Sequence, residues 1–215
     1  GGLDPGLAER VRAAVAAGFR VLKIKVGGDP LGAAAAVSRL GAVLAQARGA
    51  GDGDTREVSL RLDANRAWTL AEASAFAAAL REIRVESLEE PLAGSPPDGL
   101  AALQAAVPYP LALDEALAGA DAERTIDTTA AARVVIKAPV VGGLRRGLAL
   151  AARARRRGLQ VVVTSLLESG VGVRAAAHLA AAAGSDLAHG LDTGRWLAGD
   201  PAGVGPELCL RLLDD

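Results

Sequence analysis

The sequence predicts an α/β protein in which parallel strands, each followed by a helix, close into a barrel. Short β-branched runs alternate with longer alanine-rich segments over the whole chain, as expected for repeated βα units. Several of the β-branched runs are almost continuously apolar, which is typical of parallel strands buried on both faces. Charged or hydroxyl residues end six of the seven predicted strands, at intervals of 23 to 38 residues that match one βα repeat.

Composition narrows the class of protein. The 215 residues, 51% hydrophobic and 23% charged, suffice for one domain with a core, which we predict to span 1–215. A net charge of -1 argues against nucleic acid or an anionic membrane as partner, and one cysteine, Cys209, excludes a disulfide framework and a Cys-based zinc site. No apolar run reaches the roughly 18 residues of a membrane span, and the N-terminus has no signal-peptide pattern. We therefore expect a cytoplasmic protein.

Strands and helices are predicted to alternate along the chain. The predicted strands are 20–26, 58–63, 85–89, 111–114, 133–137, 160–164 and 187–190. The predicted helices are 5–17, 30–48, 70–81, 100–106, 120–131, 144–157 and 171–183. Asp29 before Pro30 is a typical helix start. Helix ends are expected at the glycines that follow three of these segments, Gly18, Gly158 and Gly184.

The polar residues at the strand ends favour a barrel over a doubly wound sheet. They are Lys23 and Lys25, Asp63, Glu89, Asp114, Lys137, and Thr164 with Ser165. In a barrel the carboxyl ends of the strands share one rim, where the chemistry of such folds takes place. A doubly wound sheet would instead concentrate its chemistry at one switch point, and no G-x-G-x-x-G motif follows the first strand.

Three carboxylates, Asp63, Glu89 and Asp114, close consecutive strands and are expected to converge on one point. Since three uncompensated negative charges repel one another, they predict a divalent cation, and an all-oxygen ligand set favours Mg²⁺ or Mn²⁺ over zinc. The alternative is that each acid caps a helix or pairs with an arginine. Glu90 and Glu115 follow two of the acids, and we expect them to orient other groups, because only one of each adjacent pair faces the lumen.

Lysines flank these acids in the sequence. Lys23 and Lys25 are two residues apart, so both side chains are expected to lie on the same strand face, inside the barrel. Two ammonium groups held so close are expected to lower each other's pKa, which favours one as a general base. Lys137 is then a second base or a stationary cation, the alternative for any strand lysine being extension into solvent. Acids, metal and lysines together predict proton abstraction next to a carboxylate.

Five short motifs in this order resemble the enolase superfamily over nearly all of the chain. They are K-I-K at 23–25, L-D-A-N at 62–65, E-E-P at 89–91, L-D-E at 113–115 and V-I-K at 135–137. Three further stretches are similar to the o-succinylbenzoate synthases of that superfamily: L-R-L-D-A-N-R-A-W at 60–68, T-S-x-x-E-S-x-x-G at 164–172 and H-G-L-D-T at 189–193.

The resemblance implies a TIM-type (β/α)7β barrel that lacks the N-terminal capping domain and the first barrel strand of the family. It implies Asp63, Glu89 and Asp114 as ligands of Mg²⁺, with Mn²⁺ as a possible substitute. Lys25 would be the acid/base, Lys137 the opposed cation, and Lys23 a support for Lys25. The implied substrate contacts are Arg61, Asn65, Thr164, Ser165, Gly190, Leu191 and Asp192.

The implied reaction is dehydration of 2-succinyl-6-hydroxy-2,4-cyclohexadiene-1-carboxylate to 2-succinylbenzoate, a step of menaquinone biosynthesis. A second hypothesis is an N-succinylamino-acid racemase or dipeptide epimerase, in which Lys25 and Lys137 act as bases on opposite faces of the substrate. A third is a barrel fragment that catalyses nothing. The expected partner is a small carboxylate, without nucleic acid or membrane, and the oligomeric state is left open.

Overall fold

The computed structural model of the chain describes residues 5–49, 58–80 and 83–193. Cys209 and the predicted end of the third helix at Arg81 lie outside these residues. The strands are β1 (Val21–Lys25), β2 (Ser59–Asp63), β3 (Val85–Glu89), β4 (Leu111–Leu113), β5 (Arg133–Ile136) and β6 (Gln160–Val163). The helices are α1 (Pro5–Ala16), α2 (Pro30–Gly49), α3 (Leu70–Ala79), α4 (Pro97–Ala106), a 3₁₀ turn (Glu115–Leu117), α5 (Ala122–Thr128), α6 (Ala138–Val141), α7 (Leu144–Arg156) and α8 (Gly170–Ala183).

The chain divides into two compact units, unit 1 (Gly1–Ala112) and unit 2 (Leu113–Asp215). Each has its own parallel strands and its own helices. The prediction of one domain over 1–215 stays a prediction.

Unit 1 is built on a parallel ladder of β1, β2, β3 and the first two residues of β4. The register places Lys25 beside Asp63 and Asp63 beside Glu89, so the three strand ends are level with one another. All of β2 is buried because it has a strand on each side, and its leucines, Leu60 and Leu62, are fully buried. The polar residues of β2 alternate with these leucines and therefore share the opposite face.

Unit 2 is centred on β5 and β6, which pair in parallel with Ile136 beside Val163. Both residues belong to a core completed by apolar residues of α7 and α8, among them Leu150 and Leu179. The alanines of these helices allow close packing. A side chain at Gly147 of α7 would place its Cβ 2.9 Å from a methyl group of Leu179, so a glycine is needed there.

Most predicted boundaries agree with the structure within two residues, and the exceptions have local causes. Helix α4 begins at Pro97 rather than at residue 100, because the carbonyl oxygen of Pro96 accepts the first helical hydrogen bond and Pro97 has no N–H to satisfy. Helix α5 ends at Thr128 rather than at residue 131, since the Thr129 hydroxyl accepts the N–H of Ala131 in a turn.

The predicted seventh strand at 187–190 is wrong, because the described residues make only a single bridge there, between Thr164 and Gly190. The cause is a histidine. Nδ1 of His189 accepts the N–H of Val163 at 2.9 Å, a bond that a carbonyl of the neighbouring strand would otherwise make. The 3₁₀ turn after Asp114 and helix α6 after Lys137 were not predicted.

The expected helix signals are confirmed. Asp29 caps α2 through the N–H groups of Leu31 and Gly32, and Gly158 and Gly184 take left-handed conformations at φ 76° and 62°. None of the helices in the described ranges has the length and apolar character needed to cross a bilayer.

A buried phenol in unit 1 has a testable consequence. Tyr109, the chain's only tyrosine, is 9% exposed, and its hydroxyl has no hydrogen-bond partner among the described residues. Burial raises the pKa of Tyr109 to about 12. Because the unfolded phenol ionises near its ordinary pKa of about 10, the free energy of unfolding should fall as the pH rises from about 10 to about 12.

The measurement is the ultraviolet titration of phenolate absorbance, combined with denaturant unfolding at each pH. Tyr109→Phe should remove this alkaline loss and leave the stability at neutral pH unchanged or slightly higher, since no hydrogen bond is lost. A titration midpoint near 10 in the folded protein would contradict the burial argument.

Candidate active site

The carboxyl ends of β1, β2 and β3 present one lysine and two acids in a row. Lys25, Asp63 and Glu89 are partners in the parallel register, so their side chains leave the sheet on the same face. Lys23 shares that face because it lies two residues before Lys25. Asp63 and Glu89 are each only 2% exposed, so two carboxylates are buried side by side.

Lys23 compensates this buried negative charge. Its Nζ lies 2.7 Å from Glu89 Oε1 and 3.0 Å from Asp63 Oδ2. Burial by itself would lower the pKa of Lys23, but the carboxylates of Glu89 and Asp63 outweigh it, and the net shift is upward. The expectation that neighbouring lysines lower this pKa is therefore wrong, because the nearest charges to Lys23 are anions. Lys23 is held as a cation, and its predicted support of Lys25 stays a prediction.

Lys25 makes a different contact. Its Nζ donates to Asn65 Oδ1 at 3.0 Å, and its side chain is accessible to solvent. Asn65 is itself held by a left-handed backbone (φ 48°) and by a hydrogen bond from its N–H to Asp63 Oδ1 at 3.0 Å. The structure thus assigns Asn65 to the orientation of Lys25, while its predicted contact with substrate stays a prediction.

Glu90 is turned away from the two acids, although it follows Glu89 directly. Its backbone adopts φ 42°, and its fully buried carboxylate accepts hydrogen bonds from Arg66 Nε at 3.1 Å and Ser95 Oγ at 2.8 Å. Glu89, not Glu90, shares the face of Asp63, and its predicted role as a metal ligand stays a prediction. Glu90 thus orients Arg66 and Ser95, as expected of an acid that orients other groups.

Arg61, a predicted substrate contact, is paired within the protein, and its contact with substrate stays a prediction. The residue lies two positions before Asp63 on β2 and is 7% exposed. Its guanidinium binds the Glu86 carboxylate in a two-pronged arrangement, through Nε to Oε2 and through Nη2 to Oε1 at 3.1 Å. A guanidinium already paired with a carboxylate is a structural ion pair.

The predicted residues of unit 2 gather at the ends of its own strands. Lys137 follows β5, and its Nζ donates to Asp114 Oδ2, with the two side chains 18% and 3% exposed. Thr164 follows β6, and its N–H donates to the carbonyl oxygen of Ile136. The structure therefore brings a second lysine and carboxylate together, next to a hydroxyl-bearing strand end.

Thr164 and Ser165 differ in how their hydroxyls are used. Ser165 Oγ donates to the Gly190 carbonyl at 3.2 Å and lies 2.8 Å from Thr193 Oγ1, so it fastens the 190–193 loop to β6. Thr164 Oγ1 is buried and lacks any hydrogen-bond partner within the described part of the chain. Gly190 packs so closely on Thr164 that a Cβ there would lie 2.8 Å from its methyl group. Leu191 is half-buried and Asp192 exposed in the same loop.

The donor set of unit 1 suits a hard divalent cation. Asp63 and Glu89 supply buried carboxylate oxygens, the ligand type that Mg²⁺ prefers, and these oxygens already converge on one positive group, the Lys23 ammonium. Among residues 5–49, 58–80 and 83–193, no three His, Cys, Asp or Glu side chains form a metal cluster. The two carboxylates of unit 1 have the chemistry of Mg²⁺ ligands, and all three acids, Asp63, Glu89 and Asp114, stay predicted ligands.

One signal in the sequence was missed. The chain has 24 basic residues, and only three of them are lysines: Lys23, Lys25 and Lys137. In a chain that uses arginine almost everywhere else, lysine stands only where an amine is predicted to act, and amines release protons near neutral pH far more readily than guanidinium groups do. The H-G-L-D-T motif also contains Thr193, whose Oγ1 lies 2.8 Å from Ser165 Oγ, a contact that the sequence did not predict.

Comparisons with known proteins agree on one family. Residues 6–207 match the family described as "Enolase C-terminal domain-like". The chain is 30% identical over 190 residues to an o-succinylbenzoate synthase of Desulfotalea psychrophila, covering 87% of this chain and 50% of that one. It is 34% identical over 175 residues to an L-Ala-D/L-Glu epimerase of Clostridium acetobutylicum, covering 79% and 45%.

A solved structure shows the same likeness. The dipeptide epimerase of Enterococcus faecalis V583, complexed with Mg and the dipeptide L-Leu-L-Tyr, superposes with a TM-score of 0.78 at 28% identity, over 90% of this chain and 52% of that one. The chain thus spans about half the length of the relatives it matches.

The Arg61–Glu86 pair predicts a stability effect. Arg61→Met keeps the apolar stem but leaves the Glu86 carboxylate without its guanidinium, so the free energy of unfolding should fall by about 3 kcal/mol. Glu86→Gln should also destabilise, and the double variant should lose clearly less than the two single losses together. Denaturant unfolding measures all three. Unchanged stability of the Arg61→Met protein would contradict the structural role of this ion pair.

Proposed function

The chain belongs to the enolase C-terminal domain-like family, and from that premise we propose that it abstracts the proton next to a substrate carboxylate with the help of Mg²⁺. The finer proposal is dehydration of 2-succinyl-6-hydroxy-2,4-cyclohexadiene-1-carboxylate to 2-succinylbenzoate. The observation that carries the proposed proton abstraction is the row of Lys25, Asp63 and Glu89 at the ends of three paired strands, with both acids buried. A basic amine beside a pair of metal-binding carboxylates is the equipment that this reaction needs.

Each residue of the row in unit 1 has its own proposed role. When bound, Mg²⁺ held by Asp63 and Glu89 would neutralise the substrate carboxylate and the negative charge that builds up on it. The Lys25 amine, oriented by Asn65, takes the α-proton and returns a proton to the leaving hydroxyl. Lys23 remains a fixed cation.

Unit 2 contributes the remaining proposed roles. Asp114 is the third ligand, and Lys137 is a stationary cation for the charged intermediate. The Thr164 hydroxyl, buried and unbonded among the described residues, is available to donate to a substrate carboxylate. Gly190, Leu191 and Asp192 are proposed to border the same carboxylate, since Ser165 holds their loop against β6.

A second candidate function is epimerisation of a dipeptide or of an N-succinyl amino acid. It is favoured by the relatives and solved structures that are named as epimerases. In that reaction Lys25 and Lys137 would each move a proton at the α-carbon, so both amines would be bases. We propose dehydration first because relatives named o-succinylbenzoate synthase recur among the matches. A cytoplasmic location, a small carboxylate as partner and replacement of Mg²⁺ by Mn²⁺ complete the proposal.

The test is a pair of assays on the full product of the gene. Loss of the cyclohexadiene absorbance follows dehydration, and deuterium exchange at the α-carbon of N-succinyl amino acids follows epimerisation. Dehydration should require Mg²⁺, and Lys25→Ala should lower kcat by about 10²- to 10⁴-fold. Exchange without dehydration would establish the epimerase, and neither reaction at saturating Mg²⁺ would leave a non-catalytic protein.

Thr164 and Ser165 form a matched pair of variants. Thr164→Val should raise KM for a carboxylate substrate by roughly tenfold or more, since one hydrogen bond to a charged group is lost, and should leave unfolding unchanged. Ser165→Ala should instead lower the free energy of unfolding by about 1 kcal/mol, since its hydroxyl bonds within the protein. Steady-state kinetics and denaturant unfolding of both variants distinguish the roles. Equal KM values for Thr164→Val and the wild type would remove Thr164 from the site.

A further inference from the structure

We propose that Lys23 is a built-in counter-ion that holds Asp63 and Glu89 together in the metal-free protein and competes with Mg²⁺ for them. The inference rests on the magnesium site of the proposed function and adds to it a regulation of metal affinity. Lys23 is thus a positioning residue whose ammonium must leave before the metal can bind both carboxylates.

The Lys23 Nζ lies 2.7 Å from Glu89 Oε1 and 3.0 Å from Asp63 Oδ2, so one small cation already sits between the two acids. Mg²⁺ bonds its ligands at about 2.0–2.1 Å and repels another cation at that distance. A metal ion bound to Glu89 Oε1 and Asp63 Oδ2 would therefore lie too close to the ammonium for both cations to stay in place.

Of the three side chains in this contact, that of Lys23 is the one able to move. The acids end buried strands and their side chains are 2% and 3% exposed, whereas the Lys23 side chain is 37% exposed. Asp63 is further anchored through its Oδ1, which accepts the N–H of Asn65. The flexible lysine stem can therefore swing its ammonium toward solvent while the carboxylates stay in place.

Lys25 supplies a matched control on the same strand. It lies two residues further along the same face, is also exposed, and its Nζ donates to the neutral Asn65 amide oxygen. Removing either lysine deletes one positive charge near the acids, but only removal of Lys23 deletes a cation that contacts both of them. The long-range effect of losing one positive charge is therefore the same in both variants. Only the loss of Lys23 removes a cation that competes with Mg²⁺ for the carboxylates.

The experiment is calorimetric titration of Mg²⁺ into the wild type, Lys23→Met and Lys25→Met. Lys23→Met should bind Mg²⁺ at least about tenfold more tightly than the wild type, and Lys25→Met within about threefold of it. In the absence of metal, Lys23→Met should be the least stable of the three, and saturating Mg²⁺ should raise its melting temperature most. Equal or weaker binding by Lys23→Met would overturn the proposal and leave the magnesium site standing.

A second measurement follows the lysine side chains of the wild-type protein directly, so that the Mg²⁺ titration itself needs no variant. With only three lysines in the chain, ¹³Cε-labelled lysine yields three side-chain signals, assigned by single Lys→Arg substitutions. Mg²⁺ should move the Lys23 signal toward that of a solvated lysine as the metal saturates. A Lys23 signal that stays unchanged at saturation would overturn the competition, and absence of Mg²⁺ binding by all three proteins would overturn the magnesium site itself.

Discussion

Two carboxylates buried side by side require a cation, and much of unit 1 follows from that electrostatic constraint. The parallel register sets Asp63 beside Glu89, and burial removes the water that would otherwise screen their repulsion. Lys23 meets the requirement from the neighbouring strand, at hydrogen-bond distance from both acids. A divalent cation would meet the same requirement, which is why the proposed function assigns Mg²⁺ to this pair of acids.

The loops that follow β1, β2 and β3 hold this arrangement rigid. Asn65 and Glu90 adopt left-handed backbones, which cost energy for residues with side chains and persist only where the surroundings fix them. A Cβ on Gly27 would lie 2.9 Å from the Ala64 carbonyl oxygen, so the first two loops are in close contact. The buried indole of Trp68 donates to the Gly28 carbonyl at 2.7 Å and ties them again. A site made of strand ends thus gains its order from contacts between loops.

Unit 2 likewise balances a buried carboxylate with a lysine. Lys137 and Asp114 form a second pair of opposite charges at strand ends, and the 190–193 loop is held to β6 by a network around Ser165. A lysine next to a carboxylate in each unit would suit either of the two proposed reactions, because both begin with abstraction of a proton. Thr164, whose buried hydroxyl has no hydrogen-bond partner among the described residues, is a side chain of unit 2 proposed to contact the substrate.

The sequence by itself determined the alternation of strands and helices and the positions of the acids and lysines, because hydrophobic periodicity and the spacing of strand ends are local properties. The strand at 85–89 agrees with the structure to the residue for this reason. Only the tertiary structure decided which groups bind one another. Arg61 meets Glu86, 25 residues away, and Nδ1 of His189 takes the place of a strand carbonyl. The sign of the pKa shift of Lys23 likewise came from packing, since which charge lies nearest to an ammonium depends on neighbouring strands.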